Sequence, residues 1–342
     1  VSRVLVTGAT GLIGNNLVRE LLARGDTVRV LVREGADPRA LGGLAVERRR
    51  GDVRDAAAVG GATQGVDIVY HVAGKVAIGW RGLNALREVN VGGTEVVARA
   101  ARVGGARLVH VSSVDALGFG TRARPADEHA PPDGRIVVPY VITKREAEGV
   151  VREEVARGLD AVIVNPVFVL GPWDWKPSSG RLLLAVARGA ARLAPGGGND
   201  FCHAADVAAG LVAAAKRGRR GERYILGGEA LSYREAFARF AEVTGGPAPV
   251  ALAPAPLVWA LGWAGTALGV VTGSEPALNA GSAALGCLAH HFDDRKAREE
   301  LGYGSRPAQE AATDAWAWMT AHGYVKPRRG RRPVQTEHKL QF

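Results

Sequence analysis

Residues 4–17 read "VLVTGATGLIGNNL", and the order of residue types in this stretch decides the fold. Val4 to Thr7 form a short apolar and β-branched run, suited to a strand covered on both faces. Gly8, Gly11 and Gly14 follow at three-residue intervals, and Leu12 to Leu17 start a helical rhythm. A strand that passes through a glycine loop into a helix leaves unpaired N–H groups at the helix start, beside backbone that carries no side chains. A diphosphate can approach such a turn closely and set its charge against the helix N-terminus. With the strand before it and the helix after it, the triplet reads as a nucleotide loop. Gly8, Thr10, Gly11, Leu12, Ile13 and Gly14 are the expected contacts.

The rest of the first half repeats this alternation. "TVRVLVR" (27–33), "DIVYHVA" (67–73), "RLVHVSS" (107–113) and "DAVIVNP" (160–166) read as further buried strands, and segments 12–24, 83–103 and 140–157 read as helices. Strands alternating with helices predict an α/β fold: a doubly wound parallel sheet with helices on both faces. After residue 170 the rhythm changes to helices, loops and few strands, which predicts a smaller C-terminal lobe facing the substrate. The expected division is 1–170 for nucleotide binding, with 200–226 returning to it, and 171–199 plus 227–325 for the lobe.

With 342 residues, 47% apolar and 23% charged, the chain has the composition of a soluble globular protein with a substantial core. Cys202 and Cys287 suggest no disulfide framework and fit a reducing, cytoplasmic setting. No charged-then-apolar leader precedes the first strand, so no secretory signal is expected. The net charge is +10, but residues 326–342 carry six Lys/Arg and one Glu. The excess therefore reads as a modestly basic body with a solvated, disordered tail, and no nucleic-acid partner is expected. Residues 243–274 form 32 consecutive positions without a formal charge. Pro247, Pro249, Pro254 and Pro256 break the first half, and "LVWALGWAGTALGVVTG" (257–273) is short and glycine-rich. A lid or core helix is expected there rather than a transmembrane span. A helix dipping into a membrane surface is the second option.

"PYVITKREAE" (139–148) puts Tyr140 and Lys144 one turn apart on a helix face. Taken alone, the pair is either an amphipathic surface or a proton donor beside the cation that tunes it. Other stretches decide between these. "GDVRD" (51–55), "HVAG" (71–74), "NVGGT" (90–94), "VSSVDALG" (111–118), "NPVFVLGP" (165–172), "FCHAADVAAG" (201–210) and "FDDRKAREELGY" (292–303) stand in order around the glycine loop and the Tyr-Lys pair. Together they resemble the extended short-chain dehydrogenase/reductase superfamily, the NAD-dependent epimerase/dehydratase family, over residues 3–325. The likeness is greatest to dihydroflavonol-4-reductase-like and hopanoid-associated sugar epimerase-like proteins.

The resemblance implies a Rossmann fold and an oxidoreductase whose catalytic residues are Ser113, Tyr140 and Lys144. It implies cofactor contacts from Asp52 and Val53 at the adenine, from Val72, Ala73 and Gly74 after the fourth strand, and from Pro166, Val167 and Val169 beside the nicotinamide. Two departures from relatives bear on the substrate. Asn199 stands where sugar epimerases carry an arginine that clamps a diphosphate, four residues before His203, so nucleotide sugars should bind poorly. Ser113 is followed by Val114 and Asp115 rather than by the acid pair of sugar dehydratases. Asp115 is then either a substrate contact or a surface or capping residue.

An acid at the end of the second strand would take the 2′-hydroxyl of NAD. Here Arg33 follows Val32, as in NADP-dependent reductases, with Arg39 as a second arm; Glu34 is the residue through which NAD would bind instead. NADP is expected, since an arginine attracts the 2′-phosphate that an acid repels. Trp80, Trp173 and Trp175 are candidates for the wall of an apolar or aromatic substrate pocket, or else packing anchors. His110, His290 and His291 show no ligand spacing, and no metal is expected. The leading expectation is an NADPH-dependent reductase of an apolar ketone or aldehyde. The alternatives are an NAD-dependent epimerase, dehydratase or 3β-hydroxysteroid-dehydrogenase-like enzyme, and an NADP-binding redox sensor. A homodimer is allowed, as is peripheral membrane contact.

Overall fold

Strand β1 (Arg3–Thr7) buries every residue after Arg3, and helix α1 (Leu12–Ala23) follows the glycine loop. In this computed structural model, which describes residues 1–132, 134 and 138–325, the chain continues through β2 (Thr27–Val32), β3 (Glu47–Arg50), α2 (Ala56–Thr63) and β4 (Ile68–His71). A helical stretch then starts as α3 (Leu83–Arg87), widens to a π turn at Glu88–Gly92 and ends as α4 (Gly93–Gly104), before β5 (Arg107–Val111). Next come α5 (Pro139–Ala156), β6 (Ala161–Pro166), β7 (Phe168–Leu170), α6 (Arg181–Ala187), β8 (Leu193–Ala194), β9 (Gly198–His203) and α7 (Ala204–Arg217). The remainder is β10 (Arg223–Leu226), β11 (Glu229–Ser232), α8 (Tyr233–Thr244), β12 (Ala251–Leu252), α9 (Ala255–Thr272), α10 (Ala280–Gly286), β13 (Ala289–His290) and α11 (Ala308–Ala321).

Seven strands form one parallel sheet in the order β10-β6-β5-β4-β1-β2-β3. This is the doubly wound Rossmann arrangement, and the strand order reverses between β1 and β4. Val4, Leu5 and Val6 are fully buried. Each such side chain stabilises the fold by about 1.5–3 kcal/mol, which offsets the roughly 1–2 kcal/mol of backbone entropy its ordering costs. Packing on the two faces is distinct. Val4, Val6, Leu17, Leu21 and Leu211 join one cluster with α1 and α7, whereas Leu5, Val59, Val97, Ala98 and Val151 join the other with α2, α4 and α5.

Two of the seven strands carry no strong pattern in the sequence. β3 is "ERRR", fully exposed at the sheet edge and held by pairing to β2, with Arg29 Nε on Glu47 Oε2 at 2.9 Å. β10, "RYIL", reaches β6 only after the excursion through β7–β9. After residue 170 the chain also holds more strands than expected: β9 is the centre of a second sheet, paired with β7, β11 and β13. Leu183, Phe201, Phe237, Phe240 and Ala311 pack a separate core there with α6, α8 and α11. The basic segment 326–342 lies outside the described residues.

Of the two forms expected for this stretch, lid or core helix, helix α9 is not the core form. Only Val258, Gly262, Thr266 and Gly269 of its 18 residues are buried.

Candidate active site

The topological switch point brings the carboxyl ends of β1 and β4 together. Thr7 Oγ1 lies 2.8 Å from His71 Nδ1 and accepts from the Ala73 N–H at 3.2 Å, while His71 Nε2 lies 3.1 Å from Thr94 Oγ1. Burial lowers the His71 pKa to about 3, so this bridge is neutral. Gly8 adopts φ +72°, and a Cβ there would stand 2.6 Å from Ala73 N. A Cβ on Gly14 would overlap the Gly8 carbonyl oxygen, whereas one on Gly11 would meet nothing nearer than 3.5 Å. The first and third glycines thus close the turn, and the second keeps its outer side open. Helix α1 starts there with no side-chain cap and no acid in its first turn, which leaves its N–H groups and positive dipole end for an anion. These residues fit the diphosphate of a dinucleotide.

Beyond β2 and β3 an open cleft of about 480 Å³ is lined by Arg33, Glu34, Arg50, Gly51 and Asp52. Arg54 donates to Asp52 at 2.8 and 3.2 Å, and that pairing holds the carboxylate below its ordinary range. Val53 packs against Gly93 and steadies the loop after β3. Arg33 therefore shares its cleft with a second arginine, Arg50, which sits at the end of the polar edge strand and carries no motif. Arg39, the expected second arm, is committed elsewhere. It pairs with Asp37 at 2.7 Å and lies over the Trp175 ring at 5.2 Å.

Ser113 follows the end of β5 in extended conformation and caps the short turn Val114–Ala116. Its hydroxyl donates to Asp115 Oδ2 at 3.2 Å and accepts from the Asp115 N–H at 3.2 Å. Asn165 at the end of β6 donates to the Ser113 carbonyl at 2.8 Å and to Glu148 Oε1 at 2.7 Å, tying β5 to α5. Pro139 occupies the first turn of α5, where its missing N–H costs nothing. Tyr140, Lys144, Ala147, Glu148 and Val151 are buried along one face of that helix. Lys144 Nζ donates to the Val111 carbonyl at 3.0 Å and lies 3.5 Å from the position of a Cβ on Gly74. Asn90, in the π turn, accepts from Lys75 N at 2.7 Å and donates to Thr143 Oγ1 at 3.1 Å, fixing the Gly74–Lys75 loop against α5. Val72 and Ala73 lead into that loop, while Pro166, Val167 and Val169 continue the neighbouring β6 edge through β7.

The electrostatics differ from the expected lowering of Tyr140 by Lys144. Burial raises the Tyr140 phenol well above its usual value, the Asp115 carboxylate raises it further, and the hydrogen bond with Ser113 opposes both. Burial also lowers Lys144 from 10.5 to about 8, against the attraction of Glu148 and Asp115. Asp115 is itself raised, chiefly by burial, with the Ser113 hydrogen bond acting the other way. In this arrangement Tyr140 is protonated at neutral pH.

The wall next to the phenol is apolar. Tyr140, Val138 and Val141 cluster with Ile78, Phe119, Leu285 and Leu288. Tyr233 completes the polar side: it hydrogen-bonds Asn199 and feels the Asp115 charge, and its burial raises it to about 12. Neither Tyr233 nor the partnership of Asn199 with it is visible in local sequence, because β9 and α8 meet Asp115 only through the tertiary fold. Of the tryptophans, Trp80 stacks on Trp263 of α9 with ring centroids 6.2 Å apart. Trp173 and Trp175 gather with Trp318 and His322 of the C-terminal region, Arg19 lies 3.3 Å over Trp173, and Tyr324 Oη donates to Trp175 O at 2.8 Å. Those contacts fasten α11 to α1, the packing role weighed above, and none involves Ser113, Tyr140 or Lys144. His291 pairs with Asp200 at 2.6 Å and His290 rests on Phe119.

The profile of the family described as "NAD dependent epimerase/dehydratase family" matches residues 4–227. "Sterol demethylase protein B" of Methylococcus capsulatus is 37% identical over 325 residues, covering 94% of this chain and 99% of that protein. A Synechocystis protein named for dihydroflavonol 4-reductase is 34% identical over 94% of this chain and 95% of its own length. Among solved structures, MoeE5 in complex with UDP-glucose and NAD superposes with a TM-score of 0.72 at 25% identity, covering 94% of this chain and 100% of that one.

Proposed function

Since the chain belongs to the NAD dependent epimerase/dehydratase family and is an NAD(P)-dependent oxidoreductase, we propose that it is an NADPH-dependent reductase of an apolar ketone or aldehyde. Oxidation of the corresponding alcohol is the reverse reaction. The observation that carries this reading is the setting of Tyr140: a protonated phenol facing an apolar wall of Ile78, Phe119, Leu285 and Leu288. The sterol in the name of one relative and the flavonol in that of another agree with an apolar carbonyl substrate. Arg33 and Arg50 in one cleft support NADP, because two guanidinium groups can share a phosphate that the ribose of NAD lacks.

The chain's own groups have these tasks. The glycine turn and the α1 N-terminus hold the diphosphate, Asp52 and Val53 the adenine end, and Lys144 the nicotinamide ribose. When bound, the reduced nicotinamide supplies a hydride. Ser113 Oγ and Tyr140 Oη together orient the substrate oxygen, and Tyr140 delivers its phenolic proton to that oxygen. The Ser113 hydroxyl, which here donates to Asp115 Oδ2, turns to the substrate oxygen when substrate binds.

The second reading, a sugar epimerase using NAD, has Glu34 in the adenosine cleft in its favour. It lacks a cation at the β9 position, where Asn199 is bonded to Tyr233 instead. UDP-glucose should therefore bind more weakly than millimolar in calorimetry on the cofactor-loaded protein. Saturable micromolar binding would replace the reductase with the epimerase.

A further inference from the structure

Residues 243–274 have no charge, and the structure shows where that stretch goes. Of the exposed large apolar side chains among the described residues, all but Val1, Val76 and Val103 are Leu193 or lie between Val250 and Leu278. Most sit on α9, whose 18 residues span about 27 Å. Leu261 is 48% exposed, Trp263 55%, Leu268 55% and Val271 85%. A helix apolar around its whole circumference belongs either in a protein core or in lipid. This one is apolar all round, yet the described residues leave most of its surface uncovered.

The helix is nonetheless firmly attached. Its glycines face inward: Gly262 meets Ala283 and Asn279, Gly265 meets Leu278, and Gly269 meets Glu275. Ala280 N donates to Thr266 Oγ1 at 3.0 Å, and Arg81 donates to the Gly269 carbonyl at 3.1 Å. A helix docked in this way cannot cross a bilayer without leaving the fold. The same docking occupies the glycine face that close helix–helix dimers use, and it leaves bulky residues outside.

The structure assigns this face to the surface of an anionic lipid membrane, with α9 lying in the interface plane. Trp259 and Trp263 supply the ring type favoured at the membrane–water boundary. Leu193, Val250 and Leu252 extend the apolar face along the β8–β12 ribbon. Arg81 and Arg192 flank it, bonded to the carbonyls of Gly269 and Ala248, and the chain as a whole is +10. Apolar burial and attraction to anionic headgroups then act together. The face also adjoins the catalytic site. Trp80 stacks on Trp263, Asn279 Nδ2 donates to the Ile78 carbonyl at 2.7 Å, and Ile78 packs in the cluster that holds Tyr140. A lipid-borne carbonyl compound would enter beside α9 and α10 without crossing water. This entry route rests on the substrate class proposed above; the docking face stands without it.

The test is cosedimentation of the full chain with sucrose-loaded vesicles of phosphatidylcholine, alone and with about one quarter phosphatidylglycerol. The wild type is expected to bind both, more tightly with phosphatidylglycerol and less so as salt is raised. The variant Leu261→Gln/Leu268→Gln/Val271→Gln, altered only at exposed positions, should lose at least about tenfold in partitioning, with its melting temperature and NADPH binding unchanged. Wild type that remains in the supernatant with both vesicles would overturn the assignment, as would a triple variant that binds like wild type. A dimer in analytical ultracentrifugation that the triple variant dissociates, with no vesicle binding, would give the face to a second copy. NADPH titration of the same preparation separates failure of the membrane assignment from failure of the reductase reading.

Discussion

Tyr140→Phe is expected to fold and to bind cofactor as the wild type does, and to lose at least the roughly 10²-fold typical of general acid catalysis. The ring keeps its place against Val138, Val141, Ile78 and Phe119, so packing is almost unchanged. What disappears is the proton. The phenol holds it firmly because it is buried and faces Asp115, and the neighbouring groups cannot replace it. The Ser113 hydroxyl is already directed at Asp115, and Lys144 Nζ at the Val111 carbonyl. Turnover measured at the nicotinamide absorbance, with NADPH affinity followed by fluorescence on the same preparation, separates the two effects. Turnover within a few-fold of wild type would mean that the Tyr-Lys face of α5 is only a packed surface.

The second large effect concerns cofactor choice. Arg33→Asp should weaken NADP(H) by about 10²-fold and NAD(H) by no more than about threefold. A hydrogen bond to a charged group contributes about 1.5–3 kcal/mol, about tenfold or more in affinity, and the new carboxylate adds repulsion of the 2′-phosphate. Arg50 shares the cleft, so Arg50→Asp should act in the same direction, and the double variant should bind NAD(H) better than NADP(H). Arg39→Asp should leave the ratio unchanged, because that guanidinium is paired with Asp37. Equal losses of both cofactors in titrations of Arg33→Asp would remove the basis for NADP.

The strands that could be read from sequence, β1, β2, β4, β5 and β6, are those buried on both faces, where apolar runs are dictated by the sheet. β3 could not be, since an exposed edge strand needs no apolar residues. Arg50 went unread with it. The glycine turn and the Tyr-Lys pair were legible because each is local, set by backbone geometry or by one helical turn. Asn90, Asn165 and Tyr233 act through contacts across the fold: Asn165 reaches Ser113, 52 positions away in sequence. No periodicity marks such residues. Helix α9 shows the converse limit. Its apolar composition was plain, but composition cannot say whether protein covers a helix, and here the described residues leave most of it uncovered.

The most direct test of the reductase account follows the hydride. NADPH carrying deuterium at the transferable C4 position is incubated with the protein and apolar ketones, and the product alcohol is analysed by mass spectrometry. The account predicts one deuterium on the carbinol carbon for each NADPH consumed, with NADH giving slower turnover. Conversion of a nucleotide sugar with no net change in cofactor, and no deuterium released into any alcohol, would contradict it.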